Sequence, residues 1–288
     1  LTQRMEMALV LRERQFDKPF YRWVFGDSDG LSGLVIDRFG DTAVVQISTA
    51  GMEQMKESIV RAVQRLIQPK AIILKNDGKM RSVEGLDSYI EQAHGPEASL
   101  LEVEENGARF EVPLEGGQKT GWFYDHRDNR EYLAKLCQDK SVLDVFSYMG
   151  AWGLAALTQG ASHLTAIDIS GNALDVLEQN AALNGFEGKV DCLQGNAGDA
   201  LEALIVEGKK FDVVVLDPPA FIKKKKDFHK GLAAYKKYNE LALRLLSPKG
   251  ILVAASCSMH LGEADLQAMV QKALALGSLV PQKKSSKN

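Results

Sequence analysis

Short apolar runs alternate with amphipathic segments along the C-terminal half of the chain. The segments between the runs cover roughly 10 to 18 residues and repeat their apolar positions with helical spacing. This alternation predicts βαβ units, and therefore an α/β, Rossmann-like fold with a doubly wound, mostly parallel sheet. The predicted strands are Ser141–Phe146, His163–Asp168, Lys189–Gln194, Phe211–Asp217 and Gly250–Cys257.

The N-terminal half has the pattern of a small α+β domain. Asn106-Gly107 supplies the positive φ angles of a tight hairpin turn, and Gly40-Asp41 separates two other β-rich runs. We therefore predict a small domain over residues 1–115 and a catalytic domain over residues 116–288. The predicted elements of the small domain are a hairpin over 34–48, a helical stretch from about Met52 to Ile67, a strand over 71–75 and a hairpin over 100–114.

Composition and charge narrow the class of protein but leave the partner open. The chain has 288 residues, 45% hydrophobic and 25% charged, with a net charge of -3, so a polyanion would have to be held by local clusters of Lys and Arg. Cys137, Cys192 and Cys257 lack the spacing of a disulfide framework or a zinc site, and we expect no bound metal. No apolar run suits a membrane span or a signal peptide. We expect a cytoplasmic protein with no membrane partner.

The first and second predicted strands carry acidic residues near their carboxyl ends, where doubly wound sheets bind ligands. Asp144 precedes a turn in which Gly150 and Gly153 open a helix, and Asp168 follows 24 positions later, suited to gripping the hydroxyls of a ribose. The pattern lacks the G-x-G-x-x-G of a nicotinamide dehydrogenase. It fits S-adenosylmethionine better, because that molecule has an amine, a carboxylate and a ribose but no phosphate. An ordinary turn, with Asp168 as a helix N-cap, is the structural alternative.

The fourth and fifth predicted strands end in residues suited to chemistry on a base. Asp217 is followed by two prolines, which fix the backbone, and then by Phe221, whose ring could stack on a base. The fifth strand ends at Cys257. A lone cysteine there is more often a small buried hydrophobe. Neighbouring strands would nevertheless bring Asp217 and Cys257 to one crevice, which indicates a two-residue active site.

Several longer stretches resemble the class I S-adenosylmethionine-dependent RNA methyltransferases, specifically those that make 5-methylcytosine in 23S (large-subunit) ribosomal RNA. The most specific is "EGGQKTGWFYDHRDNR", and the resemblance extends over "RWVFGDSDGLSGLVIDRFGDTAVVQISTAGME", "LDVFSYMGAWG", "DPPAF" and "SCS". It implies S-adenosylmethionine as cofactor, ribosomal RNA as partner, an RNA-binding role for the small domain, and Cys257 and Asp217 as catalytic residues. A homodimer is a further assembly that the sequence leaves open.

The resemblance also implies the binding residues. Without it, Asp125 would be interpreted as a helix N-cap, and Arg127 and Arg130 as surface charges. The implied substrate-binding residues are Pro218, Pro219, Phe221, Lys223 and Lys224. The implied cofactor-binding residues are Lys119, Thr120, Gly121, Asp125, Arg127, Asp144, Phe146, Gly150, Asp168, Ile169, Asn196 and Asp217.

The chain departs from the family pattern at three places. Asn196 stands where an Asp that contacts the adenine amino group is usual, and Met259 stands where a His is common. An N-terminal RNA-binding (PUA) domain and the last strands of the catalytic sheet are missing, as expected of a fragment or of a divergent member.

The chemistry implied is covalent catalysis, in which the Cys257 thiolate adds to C6 of cytosine and activates C5. The lysines of Ile222–Lys237, interleaved with Phe228 and Tyr235, would hold RNA phosphates; a solvated helix start is the alternative. Two other functions remain open. One is an exocyclic-amine methyltransferase on adenine or guanine, which needs no thiol, and the other is a catalytically impaired RNA-binding relative.

Overall fold

The computed structural model describes residues 1–114 and 120–278, without the side chains of 276–278. The chain divides into two compact units, Leu1–Arg127 and Asp128–Asn288. The domain boundary predicted at 115/116 falls in the segment 115–119, outside the described residues, and stays a prediction.

The first unit contains a five-stranded sheet and a separate hairpin, with helices over the sheet. The sheet order is β1-β2-β3-β4-β5, with β3 and β4 parallel and the other neighbours antiparallel. The strands are β1 (Phe20–Phe25), β2 (Leu34–Phe39), β3 (Thr42–Ile47), β4 (Ala71–Asn76), β5 (Tyr89–His94), β6 (Leu100–Glu105) and β7 (Ala108–Pro113). The helices are α1 (Thr2–Gln15), α2 (Ala50–Glu53) and α3 (Lys56–Ile67).

The turns of this unit match the sequence pattern. Asn106 and Gly107 have φ angles of 52° and 81° between β6 and β7, which confirms the predicted hairpin turn. The long helical stretch is broken into α2 and α3. The core contains residues of α1, α3 and the sheet, among them Trp23, whose indole N–H donates to the Met5 carbonyl at 2.9 Å.

The second unit is a parallel sheet with helices on its faces, which confirms the predicted Rossmann-like fold. All of its strand pairs are parallel, in the order β10-β9-β8-β11-β12. The strands are β8 (Ser141–Val145), β9 (His163–Asp168), β10 (Val190–Gln194), β11 (Phe211–Leu216) and β12 (Leu246–Ala254). The helices are α4 (Arg127–Ala134), α5 (Ala151–Thr158), α6 (Gly171–Leu183), α7 (Ala197–Val206), α8 (Phe228–Leu245) and α9 (Glu263–Ser278).

Burial explains why the central strands carry continuous apolar runs. Val213, Val214 and Val215 of β11 are all fully buried, because β11 has a neighbouring strand on each side and helices on its faces. At Gly153 in α5, an added Cβ would lie 2.4 Å from a methyl carbon of Leu164 in β9. Glycine therefore permits close packing of α5 on the sheet.

In the part of the chain that the structure describes, no helix combines the length and apolar character needed to cross a membrane.

Candidate active site

Four strands of the second unit end side by side. The register pairs Val145 with Ile167 of β9 and with Leu216 of β11, and pairs Leu216 with Ala254 of β12. The loops that follow these strands therefore leave the sheet along one edge. This edge carries Asp144, Asp168, Asp217 and, after β12, Cys257.

The loop after β8 has an unusual backbone. Phe146 and Tyr148 have φ angles of 64° and 50°, in the left-handed region that disfavours large side chains, and Gly150 has a φ of 84°. Asp168 stabilises this loop, because its Oδ2 accepts the backbone N–H of Tyr148 at 2.9 Å. The side chain at the end of β9 thus holds the loop that follows the neighbouring strand β8.

Asp144 is fully buried beneath this loop. Its Oδ2 accepts the backbone N–H of Gly153 at 3.2 Å, whereas its Oδ1 has no hydrogen-bond partner within the described residues. The pKa of Asp144 is raised from 3.8 to about 7, chiefly by burial; the bond from the Gly153 N–H opposes the rise, and the nearby carboxylates of Asp217 and Asp168 add to it. This carboxyl group is therefore about half protonated near neutral pH.

Exposed residues lie at the ends of β9 and β10, in contrast to the buried Asp144. The Ile169 side chain is 74% exposed directly after Asp168, and Gly195 has open space where a Cβ would stand. Ser170 is the N-cap of α6, so the interpretation of Asp168 as the cap is wrong. Asn196 is exposed and caps α7, its Oδ1 accepting the N–H of Gly198 at 2.8 Å.

Asp217 lies immediately after β11, and its carboxylate is oriented by a tryptophan. The indole N–H of Trp152 in α5 donates to Asp217 Oδ2 at 3.0 Å. The two following prolines differ, since Pro218 is buried and Pro219 is exposed. Arg130 is buried, with its guanidinium carbon 6.0 Å from the Trp152 ring centre, so the interpretation of Arg130 as a surface charge is wrong.

Cys257 does not end a strand, which corrects the prediction. β12 stops at Ala254, and Cys257 is exposed in the loop beyond it, with its Sγ 3.7 Å from the carbonyl oxygen of Pro218. The hydroxyls of the two neighbouring serines accept backbone N–H groups in this loop: Ser256 Oγ accepts the Ser258 N–H at 3.1 Å, and Ser258 Oγ accepts the backbone N–H of Ile222 at 3.1 Å.

An aromatic cluster lies next to the Asp-Pro-Pro segment. Phe221 stacks on Tyr238 of α8, with ring centres 5.4 Å apart, and meets Tyr235 edge-on at 4.8 Å. Phe146 contacts the same Tyr238 ring at 5.2 Å. One face of Phe221 is thus covered by Tyr238, so that face is not available for stacking on a base.

The lysine-rich segment after this cluster is exposed. Lys223 and Lys224 both point into solvent, as a phosphate contact requires. Phe228 is half-buried, and Tyr235 is 1% exposed inside the unit. Tyr235 therefore does not share the exposed surface of the lysines, and phosphate binding by the lysines stays a prediction.

The remaining predicted cofactor residues belong to the first unit, apart from Lys119, which lies outside the described residues. Thr120 is buried, and its hydroxyl donates to Asp37. Gly121 is buried with a φ of 121°, whereas Asp125 is exposed. The Arg127 guanidinium lies over the Phe16 ring, 4.8 Å from its centre.

The other two cysteines differ from Cys257 in environment. Burial raises the pKa of the Cys137 thiol to about 11. Burial, reinforced by the Glu178 carboxylate, raises that of Cys192 to about 12. Both thiols therefore stay protonated at neutral pH, and neither suits a nucleophile.

Comparison with known proteins identifies the family. Residues 52–275 match the family model of S-adenosylmethionine-dependent methyltransferases. The chain belongs to the S-adenosylmethionine-dependent methyltransferases.

Among methyltransferase relatives, Ribosomal RNA large subunit methyltransferase I of Alteromonas mediterranea is 37% identical over 92% of this chain and 67% of its own length. The protein of that name from Klebsiella pneumoniae is 39% identical over 83% of this chain and 60% of its own length. The chain thus spans about two thirds of the length of these relatives.

Solved methyltransferase structures share the fold. A putative SAM-dependent methyltransferase from Streptococcus mutans superimposes with a TM-score of 0.80 at 22% identity, over 95% of this chain and 71% of its own. The methyltransferase from Agrobacterium tumefaciens gives a TM-score of 0.63 at 18% identity, over 84% of this chain and 75% of its own. Both likenesses concern the fold alone.

The residues at the strand ends fit the methyltransferase cofactor, S-adenosylmethionine. Asp144 has a buried oxygen without a partner among the described residues, next to a turn shaped by Asp168. The exposed Ile169 offers an apolar surface to a flat ring, and Gly195 leaves room beside it. An amine, a ribose and an adenine have suitable contacts in this set.

Two contacts of the methyltransferase site were missed by sequence reasoning. Trp152 orients Asp217, and Tyr235 bonds to both serines beside Cys257. Trp152 and Tyr235 both lie at helix positions whose spacing is that of ordinary core residues. Their polar atoms were the available signal, since a buried indole N–H or phenol hydroxyl needs a partner.

Proposed function

We propose that this chain transfers a methyl group from S-adenosylmethionine to C5 of a cytosine in large-subunit ribosomal RNA. The observation that carries the proposal is the exposed thiol of Cys257, 3.7 Å from the carbonyl of the Pro218 that follows Asp217. Methylation of an exocyclic amine needs no such thiol. Relatives named for methylation of large-subunit ribosomal RNA support the substrate class.

C5 of cytosine is a weak nucleophile, and the reaction therefore needs covalent activation. The Cys257 thiolate adds to C6, and the electron pair of the C5–C6 bond becomes available at C5. S-adenosylmethionine supplies an electrophilic methyl group on a sulfonium. A thiol suits this step because sulfur is intrinsically nucleophilic and a few per cent of an ordinary Cys is ionised at pH 7.

Asp217 holds the opposite edge of the ring. Its carboxyl group bonds to the N3 and amino edge of cytosine, where charge develops when the thiolate adds. Trp152 fixes the orientation of this carboxylate through the bond at 3.0 Å. Once C5 carries the methyl group, it loses its proton, the C6–S bond breaks, and Cys257 leaves as a thiolate.

The cofactor is assigned to the edge formed by β8, β9 and β10. We assign Asp144 to the amine, Asp168 to the ribose hydroxyls, and Ile169 with Asn196 to the adenine. Phe146 and Gly150 shape the turn around the ligand, since both have positive φ angles. The resemblance that implies these roles also implies Lys119, Thr120, Gly121, Asp125 and Arg127 as further contacts.

The RNA is assigned to the surface beside this edge. A base must leave its stack to reach Cys257, at a cost of a few kcal/mol. Phe221 and the rigid Pro218-Pro219 segment would receive it, while Lys223 and Lys224 would bind phosphates. The small N-terminal domain is assigned to RNA binding. A cytoplasmic location follows from ribosomal RNA as the substrate.

A trapping experiment tests the proposal. RNA containing 5-fluorocytidine cannot lose the fluorine as a proton is lost, so the methylated adduct with Cys257 persists and is seen as a denaturation-resistant band. We expect this band with S-adenosylmethionine and its loss in Cys257→Ala. Cys192→Ala is the matched control and should form the adduct, because Cys192 is half-buried and protonated.

A second measurement uses labelled S-adenosylmethionine with unmodified large-subunit ribosomal RNA, followed by nucleoside analysis. Label in 5-methylcytidine is expected. Label confined to methylated purines, or methyl transfer that survives Cys257→Ala, would refute the proposal.

A further inference from the structure

We infer that Tyr235 is a positioning residue for the nucleophile: its hydroxyl holds the two serines beside Cys257, and one of them, Ser258, bonds to the segment that follows Asp217. The inference rests on the proposed function, because it gives Tyr235 a role in that reaction. Tyr235 lies in α8, is 1% exposed, and does not reach the base itself.

The hydroxyl of Tyr235 bonds to both neighbours of Cys257. Ser256 Oγ donates to the Tyr235 oxygen at 2.9 Å, and the Tyr235 hydroxyl lies 2.8 Å from Ser258 Oγ. With Ser256 as donor, the single proton of the phenol is available for the bond to Ser258. The Ser258 N–H returns to Ser256 Oγ at 3.1 Å, which closes a ring of hydrogen bonds around Cys257.

The same ring reaches the Asp-Pro-Pro segment. Ser258 Oγ accepts the backbone N–H of Ile222 at 3.1 Å, and Ile222 is buried. The Tyr235 ring also meets Phe221 edge-on at 4.8 Å. Tyr235 therefore touches, through one side chain, the segment after Asp217 and the loop of Cys257.

A buried network of this kind restricts the thiol without contacting it. Water cannot easily replace the lost bonds in a 1% exposed position, so removing the hydroxyl leaves Ser256 and Ser258 to find other partners. The loop of Cys257 would then sample more conformations. A displacement of about 1 Å at a reacting atom can cost about 100-fold in rate.

Tyr235→Phe isolates the hydroxyl, because it keeps the ring against Phe221. We expect the single-turnover rate of adduct formation with 5-fluorocytidine RNA to fall about 10- to 100-fold, with the RNA dissociation constant unchanged. Hydrogen exchange should accelerate in peptides over 255–260 and 220–224, where the N–H groups of Ser258 and Ile222 are bonded. Tyr132→Phe, at a 70% exposed tyrosine of α4, is the matched control and should keep the wild-type rate.

A double-mutant cycle with Ser258→Ala adds a second readout. If Tyr235 acts through Ser258, the rate losses of the two variants combine to less than the product of the two factors. If the double variant loses the full product of the two single rate losses, the inference is overturned. It is also overturned if Tyr235→Phe forms the adduct within twofold of the wild-type rate, or if its hydrogen exchange over 255–260 and 220–224 is unchanged. If the wild-type protein forms no adduct, the proposed function itself fails, and the positioning role fails with it. A wild-type adduct with an unaffected Tyr235→Phe overturns the positioning role alone.

Discussion

The substitution Asp144→Asn should remove a large pH dependence of stability. Asp144 is fully buried, and its Oδ1 has no hydrogen-bond partner among the described residues. Burial, with the charges of Asp217 and Asp168 nearby, raises its pKa from 3.8 to about 7. In the unfolded chain the group regains an ordinary pKa, so between about pH 4 and pH 7 the folded protein holds a proton that the unfolded chain releases.

The sign and size of the effect follow from this difference. Stability falls as pH rises through that window, by up to about 1.4 kcal/mol per pH unit, and levels off above pH 7 at a total cost of about 4 kcal/mol. Between pH 5 and pH 8 the loss is about 3 kcal/mol. Asparagine cannot titrate but can still accept the Gly153 N–H, so Asp144→Asn should lose this slope while remaining folded.

Urea unfolding followed by circular dichroism between pH 5 and pH 8 measures the slope. The unfolding midpoint of Asp144→Asn should rise relative to wild type as the pH increases. Asp175→Asn is the matched control, because Asp175 is exposed on α6 and its substitution should keep the wild-type slope. Parallel pH profiles for Asp144→Asn and wild type would refute the reasoning.

Three further predictions follow from packing, orientation and charge. Gly153→Ala should destabilise the fold by about 1–3 kcal/mol, because the added Cβ would lie 2.4 Å from Leu164. Thermal unfolding measures this, and an unchanged melting temperature would contradict the close packing of α5 on the sheet. Trp152→Phe should lower the rate of methyl transfer while RNA affinity stays constant, since it removes the indole bond that orients Asp217; a loss of RNA affinity alone would argue against this. Replacing Lys223–Lys226 by Ala should weaken RNA binding and flatten its salt dependence, which filter binding at several salt concentrations can measure.

The parallel sheet could be predicted closely because its strands are buried on both faces. Such strands carry continuous apolar runs, and Phe211–Leu216 is the clearest example. The end of β12 could not be predicted, since Ala255 and Cys257 continue the apolar run. Beyond Ala254, serine hydroxyls of the loop bond to α8 and to Ile222, and these tertiary contacts are not encoded in the local sequence.

The sequence predicts which strand ends carry the residues of the candidate site, but it does not predict the hydrogen bonds between those residues and the helices. Asp144, Asp168 and Asp217 follow from their position relative to apolar runs. Trp152 in α5 and Tyr235 in α8 have the same helical spacing as core residues, and only the folded chain selects their hydrogen-bond partners. Arg130 was assigned to the surface because arginines are rarely buried, but in the folded chain it is 2% exposed and lies beside the ring of Trp152.

The contrast between the three cysteines has a practical consequence for spectroscopy. With pKa values of about 11 and 12, only about one in a thousand Cys137 thiols and one in ten thousand Cys192 thiols ionise at pH 8. Cys257 is exposed, so a maleimide or iodoacetamide dye would attach to it in the unmodified chain. RNA binding could then be measured by energy transfer between a fluorophore on Cys257 and a labelled oligonucleotide, and no other cysteine would have to be removed first.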